Sequence, residues 1–240
     1  MSGHDHLRGG PGRPLRRQEA SEAVSGLGWR YVLGVLRANL PAGSLVEAAV
    51  TAARVVAACG DDAAGRLSVD LRRDQVLLTV RPVQGTLVTA DEVALARRIS
   101  EIASGLGLTT VAGVGGGSPR SVQALEIAID ALDIAAARPF WKAVLAYTDE
   151  PGHTGPEDPL VDPDGQGPAI WFQQMDAPRP QRNRIHLDVS VPHDEAQARI
   201  QVTLAAGGVL VNDAEAPAFW VLADPEGNEA CITTWQGRDP

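Results

Sequence analysis

Apolar positions along the chain change period several times, and each change marks an element. Gln18 to Leu27 reads as a short helix stopped by Gly28. Trp29 to Leu33 and Val35 to Leu40 are extended runs around Gly34, a hairpin signal. From Ser44 to Cys59 the apolar residues Leu45, Val46, Ala49, Val50, Ala53, Val56 and Ala57 form a helical stripe, and Gly60 ends it. Leu67, Val69 and Leu71 then alternate with polar residues, Arg73-Asp74 turns the chain, and Val76, Leu78 and Val80 alternate again. Thr89 to Glu92 is a capping box opening a helix with Val93, Leu95, Ala96 and Ile99 inward. The order is αββαββα, helices layered on an antiparallel sheet.

The second half predicts one unit written twice. Leu125 to Asp130 is a strand, and Asp133 caps a helix through Phe140, Trp141, Val144 and Leu145. Pro139 within that helix must fall in its first turn or kink it. Short extended pieces follow, the last from Ala169 to Gln174. The pattern then restarts with a strand from Arg184 to Val191 and a helix from Glu195 to Ala206. Strands near Val209 to Val211, Phe219 to Leu222 and Ala230 to Thr233 complete it, with a turn at Asp224 to Asn228 between the last two. This is βαβββ repeated, so the fold class is α+β throughout. The organisation is a disordered tail over 1–17, an αββαββα domain over 18–108, a Gly-rich linker over 109–120 and paired βαβββ modules over 121–240. The glycines at 113 and 115–117 lead into a strand with no Lys-Ser/Thr pair after them, so they read as linker rather than phosphate loop. His4 and His6 belong to the tail.

Composition narrows the function classes. The 240 residues carry 21 Lys+Arg against 30 Asp+Glu, a net charge of -9, and 44% hydrophobic residues. An acidic chain lacks the counterion-release drive toward nucleic acid, which excludes that partner. No apolar run approaches the ~20 residues of a membrane helix, and the polar, basic N-terminus is no secretory signal. Cys59 and Cys231 have no metal-knuckle spacing, and a reducing cytoplasm is the expected compartment.

The candidate chemistry lies in strand alternation. Leu125, Ile127 and Ile129 share one face of their strand, with Glu126, Ala128 and Asp130 on the other. Ile185, Leu187 and Val189 oppose Arg184, His186 and Asp188, while Ala230 and Ile232 oppose Glu229, Cys231 and Thr233. A sheet under helices needs only one apolar face. The second face is either simply wet, or it curls into a cup whose polar groups converge on a ligand.

Residues 121–235 resemble the vicinal oxygen chelate superfamily, in its glyoxalase-like branch. The carriers are Asp133 with Phe140-Trp141 and Leu145, Gly167-Pro168 with Trp171-Phe172-Gln173, Asn183 to Asp188, and Trp220-Val221-Leu222 leading into Asp224 to Glu229. The resemblance implies two βαβββ half-barrels closing around one small molecule, in many members with a divalent metal. The family's ligand positions correspond to Glu126, Gln173, His186 and Cys231, with Glu229 as a substitute. Glutamine and a thiol suit Fe, Mn, Ni or Mg poorly, so a metal-free or weakly metallated pocket is expected. His186 is the expected base or sole imidazole ligand, with Glu126 and Glu229 as acid/base partners. Asp130, Trp171, Gln173, Asp188, Trp220 and Cys231 are expected to contact substrate, the two tryptophans as an aromatic wall or, alternatively, as core.

Residues 18–108 resemble the pterin-4a-carbinolamine dehydratase family, through Trp29, the Ala-rich helix to Cys59, the paired strands around Asp74, and Leu87 to Ala96. That family uses a His-His-Pro cluster and a Thr-His pair as acid and base. Here the stretches read Gly60-Asp61-Asp62-Ala63-Ala64 and Thr79-Val80-Arg81-Pro82, and no histidine lies between His6 and His153. Acid–base work near neutrality needs a group titrating there, so lost dehydratase activity is expected. Three functions stay open: a small-molecule lyase or isomerase, a drug- or metabolite-sequestering module, and an unusual dehydratase. A homodimer suits both families.

Overall fold

The computed structural model describes residues 12–83, 87–113, 122–179 and 181–237. It divides into two units, Met1–Ala124 and Leu125–Pro240.

In the first unit α1 (Arg17–Ser25), β1 (Arg30–Val32), β2 (Val35–Pro41), α2 (Leu45–Cys59), β3 (Leu67–Arg72), β4 (Gln75–Val80) and α3 (Ala90–Gly105) follow the predicted order. The strands form one antiparallel sheet ordered β1-β2-β4-β3. Leu36, Ala38 and Leu40 alternate into the core with Val76, Leu78 and Val80, against Val55 of α2 and Leu95, Ala96 and Ile99 of α3. The hairpin turn holds Leu33 and Gly34 at φ 48° and 75°, the left-handed pair that matches strand twist.

Trp29 is fully buried, and its indole N–H donates to Ser100 Oγ at 2.9 Å. Ser100 Oγ lies 2.8 Å from the Thr110 hydroxyl, which donates to the Leu27 carbonyl at 2.6 Å. Gly28 sits under this network at φ +81°, where a Cβ would lie 1.9 Å from the Thr110 carbonyl oxygen. Val111 and Asn39 exchange backbone hydrogen bonds of 2.8 and 2.9 Å. Thr110 to Gly113 therefore belong to the first unit, not to a free linker; the glycines from 115 to 117 lie outside the described residues. The start of the chain is likewise tied earlier than expected. Leu15 N–H donates to the Val88 carbonyl at 2.9 Å, while His4 and His6 lie outside the described residues.

Helix α2 holds the largest departure from the pattern. Its buried residues are Ala48, Thr51, Ala52, Val55 and Cys59. The stripe singled out by sequence faces the other way, with Val46 at 74% and Val50 at 48% exposure. Two faces of this helix are apolar, and its small, Ala-rich side is the one that fits close over β3 and β4.

The second unit contains β5 (Glu126–Ala131), α4 (Ile134–Leu145), β6 (Thr148–Asp149), β7 (Leu160–Val161) and β8 (Ala169–Gln174). The pattern repeats as β9 (Leu187–Ser190), α5 (Ala196–Ala205), β10 (Val209–Asn212), β11 (Phe219–Ala223) and β12 (Glu229–Thr233). The sheets are ordered β5-β8-β7-β6 and β9-β12-β11-β10, with β5–β8 and β9–β12 parallel and the remaining pairs antiparallel. These are the two βαβββ modules. Pro139 lies in the second turn of α4 rather than the first, so the helix forgoes the bond to the Ala135 carbonyl there.

Both modules pack through α4 and α5 into one core that includes Phe140, Trp141, Ile170, Ile200, Leu222 and Ile232. Gly208 permits the close approach, since a Cβ there would meet the Phe140 ring at 2.8 Å. Asp224, 2% exposed, accepts from the Trp141 indole N–H of the other module at 3.0 Å. Its oxygens also accept from Glu226 N, Asn228 N and Asn228 Nδ2, each at 2.9 Å. The turn so shaped, with Gly227 at φ +87°, places the Glu226 carboxylate on the amides of the two residues just before α4. Leu132 N donates to it at 2.8 Å and Asp133 N at 2.6 Å, a charge suited to a helix N-terminus.

Asp224→Ala should therefore lower the stability of the second unit by about 3 kcal/mol, because several buried donors lose their acceptor together. Trp141→Phe, which removes one donor, should cost about 1 kcal/mol. Urea unfolding followed by circular dichroism measures both; equal midpoints for wild type and Asp224→Ala would show that the turn holds nothing together.

Candidate functional site

The two modules leave a hollow of about 400 Å³ between them, within the range of small-molecule sites. Ile127, Ile129 and Trp141 come from the first module. Asn183 to Leu187 come from the run into β9, and Glu226 to Glu229 from the clamping turn. The wall is braced, since Asn183 Nδ2 donates to Asn228 Oδ1 at 2.5 Å and Asn228 is itself bonded to Asp224.

The sequence-predicted residues separate into three groups. Asp130, His186 and Glu229 line the hollow. His186, Asp188 and Cys231 form a cluster beside it, with one ligand atom from each within 4.8 Å of the others. Parallel register brings Asp188 opposite Cys231. His186 Nε2 lies 3.3 Å from Asp188 Oδ1. Glu126, Trp171 and Gln173 share the open face of the first sheet, where Asp130 pairs with Gln173 and Ala128 with Trp171, but these three do not line the hollow. The charge of Glu126 is felt instead at Glu150, whose carboxyl is raised by burial and then, after an opposing effect of His153, by the charges of Glu126 and Asp158. Trp220 is placed in the helix-side core, opposite Ile232, so core packing is its role in the fold. Ile185, expected to face inward, is 79% exposed, because β9 begins only at Leu187.

One carboxylate of the site is held in an ion pair. Arg182 grips the Glu229 carboxylate with two nitrogens, Nε at 2.9 Å from Oε1 and Nη2 on Oε2. Such forked pairs fix geometry. Burial, followed by the charge and hydrogen bond of Asp188, pushes the Cys231 thiol up to about 11; Glu229 adds to this and Arg182 opposes it. Imidazole, carboxylate and thiol together fit Zn²⁺ better than Mg²⁺ or Mn²⁺, and a bound cation would reverse the electrostatics that keep the thiol protonated. Glu229, engaged by Arg182, and Glu126, on the other sheet, stand outside this set.

Sequence reasoning read Asp224 to Asn228 as a turn and as part of the family resemblance, but it did not name these residues, Trp141 or Asn183 as site residues. An apolar run within α4 signals core, and nothing local says that one edge of Trp141 borders a hollow.

The first unit has its own shallow hollow of about 290 Å³, lined by Asp62, Arg66, Asp91, Leu95 and Arg98. Its charges are spent on each other. Arg66 pairs with buried Glu92 and, at 3.5 Å, with Asp91, while Arg98 pairs with Asp62. The stretch from Gly60 to Ala63 is a single exposed 3-10 turn.

A thiol near 11 is only ~0.1% thiolate at pH 8. Iodoacetamide should therefore label Cys231 slowly at pH 8, with a rate rising about tenfold per pH unit toward pH 11. Removing the neighbouring charge by Asp188→Asn should lower the thiol pKa and speed labelling at pH 8, as peptide mass spectrometry would show; an unchanged rate would mean Asp188 does not act on Cys231.

Comparison with known proteins bears on the second unit. A structure of a glyoxalase/bleomycin resistance protein/dioxygenase family enzyme from Burkholderia phytofirmans PsJN is 22% identical, covering 45% of this chain and 95% of its own at a TM-score of 0.37. A glyoxalase-related enzyme from Fulvimarina pelagi is 21% identical over 47% of this chain and 87% of its own, TM-score 0.35. The fosfomycin resistance protein FosX from Mesorhizobium loti is 9% identical over 45% and 88%, TM-score 0.36. No curated protein sequence matches the chain. Among the described residues no helix is long and apolar enough to cross a membrane. The family model described as Glyoxalase-like domain matches residues 126–233, so the second unit carries a glyoxalase-like domain.

Proposed function

We propose that the second unit binds a small, partly apolar organic molecule in the hollow between its modules and that His186 is the group able to act on it. The observation that carries this is the shared lining: Ile127, Ile129 and Trp141 supply an apolar side, and Asp130, Asn183, His186 and Asn228 a polar one. With Nε2 turned to Asp188, Nδ1 is the nitrogen left to take a proton, and the carboxylate stabilises the imidazolium that forms. Glu229, fixed by Arg182, serves to orient bound groups by hydrogen bonding. Were Zn²⁺ held by His186, Asp188 and Cys231, it would supply Lewis-acid polarisation of a substrate oxygen. The lyase or isomerase reading and the sequestering reading share this pocket and differ only in whether proton transfer follows binding.

The first unit, in the same proposal, is a dehydratase-like scaffold that has lost the reaction. Its candidate pocket offers Asp62 and Asp91 already paired with arginines, and its described lining holds no imidazole, the side chain best suited to acid–base exchange near neutrality.

A panel of small aromatic and aliphatic carboxylic acids, amides and aldehydes, titrated against intrinsic tryptophan fluorescence, tests the pocket. At least one should quench saturably. Ala128→Trp, which fills the hollow from an exposed strand position, should abolish that response while the fold is kept. His186→Asn should preserve binding yet lower any turnover by 10²- to 10⁴-fold. Binding that survives Ala128→Trp would place the ligand elsewhere. For the first unit, an assay with a pterin carbinolamine should show no acceleration over buffer, and ordinary turnover would overturn the scaffold reading.

A further inference from the structure

The run between β8 and β9 brings two arginines to the hollow of the second unit. Arg179 and Arg184 line it together with Gln181 and Asn183. Among the described residues neither guanidinium has a carboxylate at ion-pair distance or a hydrogen-bond acceptor. Exposed arginines are ordinary by themselves. Here the surrounding groups give them a direction.

Two of the three lining carboxylates are committed elsewhere. Glu229 is forked by Arg182 of the same run, and its side chain is 13% exposed. Glu226 accepts from Leu132 N and Asp133 N. Asp130 is left, with no cation at ion-pair distance among the described residues. Two guanidinium charges against one carboxylate give the hollow a single positive charge in excess, with the imidazole neutral, on a chain whose net charge is -9. The apolar side chains of Ile127, Ile129 and Trp141 border the same space. Such low-dielectric walls strengthen a charge relative to its screened value in open water.

The run is also held in place. Arg182 is anchored on Glu229, and Asn183 Nδ2 donates to Asn228 Oδ1 at 2.5 Å. Arg184 therefore follows two fixed residues, and the chain enters β9 at Leu187 soon after it. A guanidinium on such a backbone offers a carboxylate two parallel N–H donors with little of the ordering cost that a free loop would impose.

We infer that the ligand of this hollow is a small organic acid of single negative charge, its carboxylate against Arg184 and Arg179 and its apolar body against Ile127, Ile129 and Trp141. One excess positive charge matches one carboxylate, whereas a doubly charged group would keep a charge uncompensated near Asp130. The inference rests on the binding role proposed above for the hollow and adds the charge of what it binds.

Calorimetric titration of the full chain with three ligands on one aromatic body tests this: naphthylacetate, the neutral naphthylacetamide, and naphthylmethylphosphonate in its doubly charged form. Naphthylacetate should bind wild type tighter than the amide by about tenfold or more, and tighter than the phosphonate. Arg184→Met and Arg179→Met should each narrow the gap between acid and amide, and the double variant should close it. Affinity for the amide should stay at its wild-type value in all three, which also reports that the pocket is intact. Equal binding of acid and amide to wild type would overturn the inference while leaving the pocket standing. A preference that survives the double variant would overturn the assignment to these arginines, and tighter binding of the phosphonate would overturn the single charge. If neither acid nor amide bound in a way that Ala128→Trp removes, the pocket reading itself would fall and this inference with it.

Discussion

A single buried carboxylate organises the second unit. Asp224 sits where water does not reach and satisfies its oxygens with the Trp141 indole of one module and the backbone and side chain of its own turn. A buried charge is tolerable only when so surrounded. The consequence is geometric. The turn it shapes carries Glu226 to the residues just before α4, which ties the two modules together, and sets Asn228 on Asn183 within its own module. The hollow is bounded by residues that this one group holds in place.

The polar chemistry follows from strand parity on that frame. Parallel pairing of β9 with β12 sets Asp188 beside Cys231, and alternation keeps both on the face away from α5. Burial and then the carboxylates raise the thiol, while His186 Nε2 is turned to Asp188. On the first sheet the same parity yields Glu126, Asp130, Trp171 and Gln173 on one face, yet only Asp130 reaches the hollow. The hollow follows the edges of β5 and β9 rather than the middle of either sheet. Sharing a face is therefore not the same as sharing a site.

The first unit spends its charges differently. Arg66, Asp91 and Glu92, and Arg98 with Asp62, neutralise one another around a shallow depression, and pairing of this kind stabilises position more than it supplies reactivity. Its chemistry is turned outward in another sense, through an apolar helix face that the sheet leaves uncovered.

Periodicity alone was enough for the element order, the hairpin at Leu33-Gly34, the capping box at Thr89, the paired βαβββ modules and the core face of β5, because each rests on local spacing and on the need to bury one face. It could not choose between the two apolar sides of α2, since Ala48, Ala52 and Val55 compete with Val46, Val50 and Val56 at equal period and only the closeness of the sheet selects the smaller set. Nor could it see that Trp220 faces the helices or that Trp141 and Asn183 border a cavity. The sequence by itself determined which segments become strands and helices and which polar residues share a strand face. Only the tertiary structure decided which of those residues meet, because contacts between β5, the approach to β9 and the Asp224 turn are separated by scores of residues and are set by packing between modules, which no local period encodes.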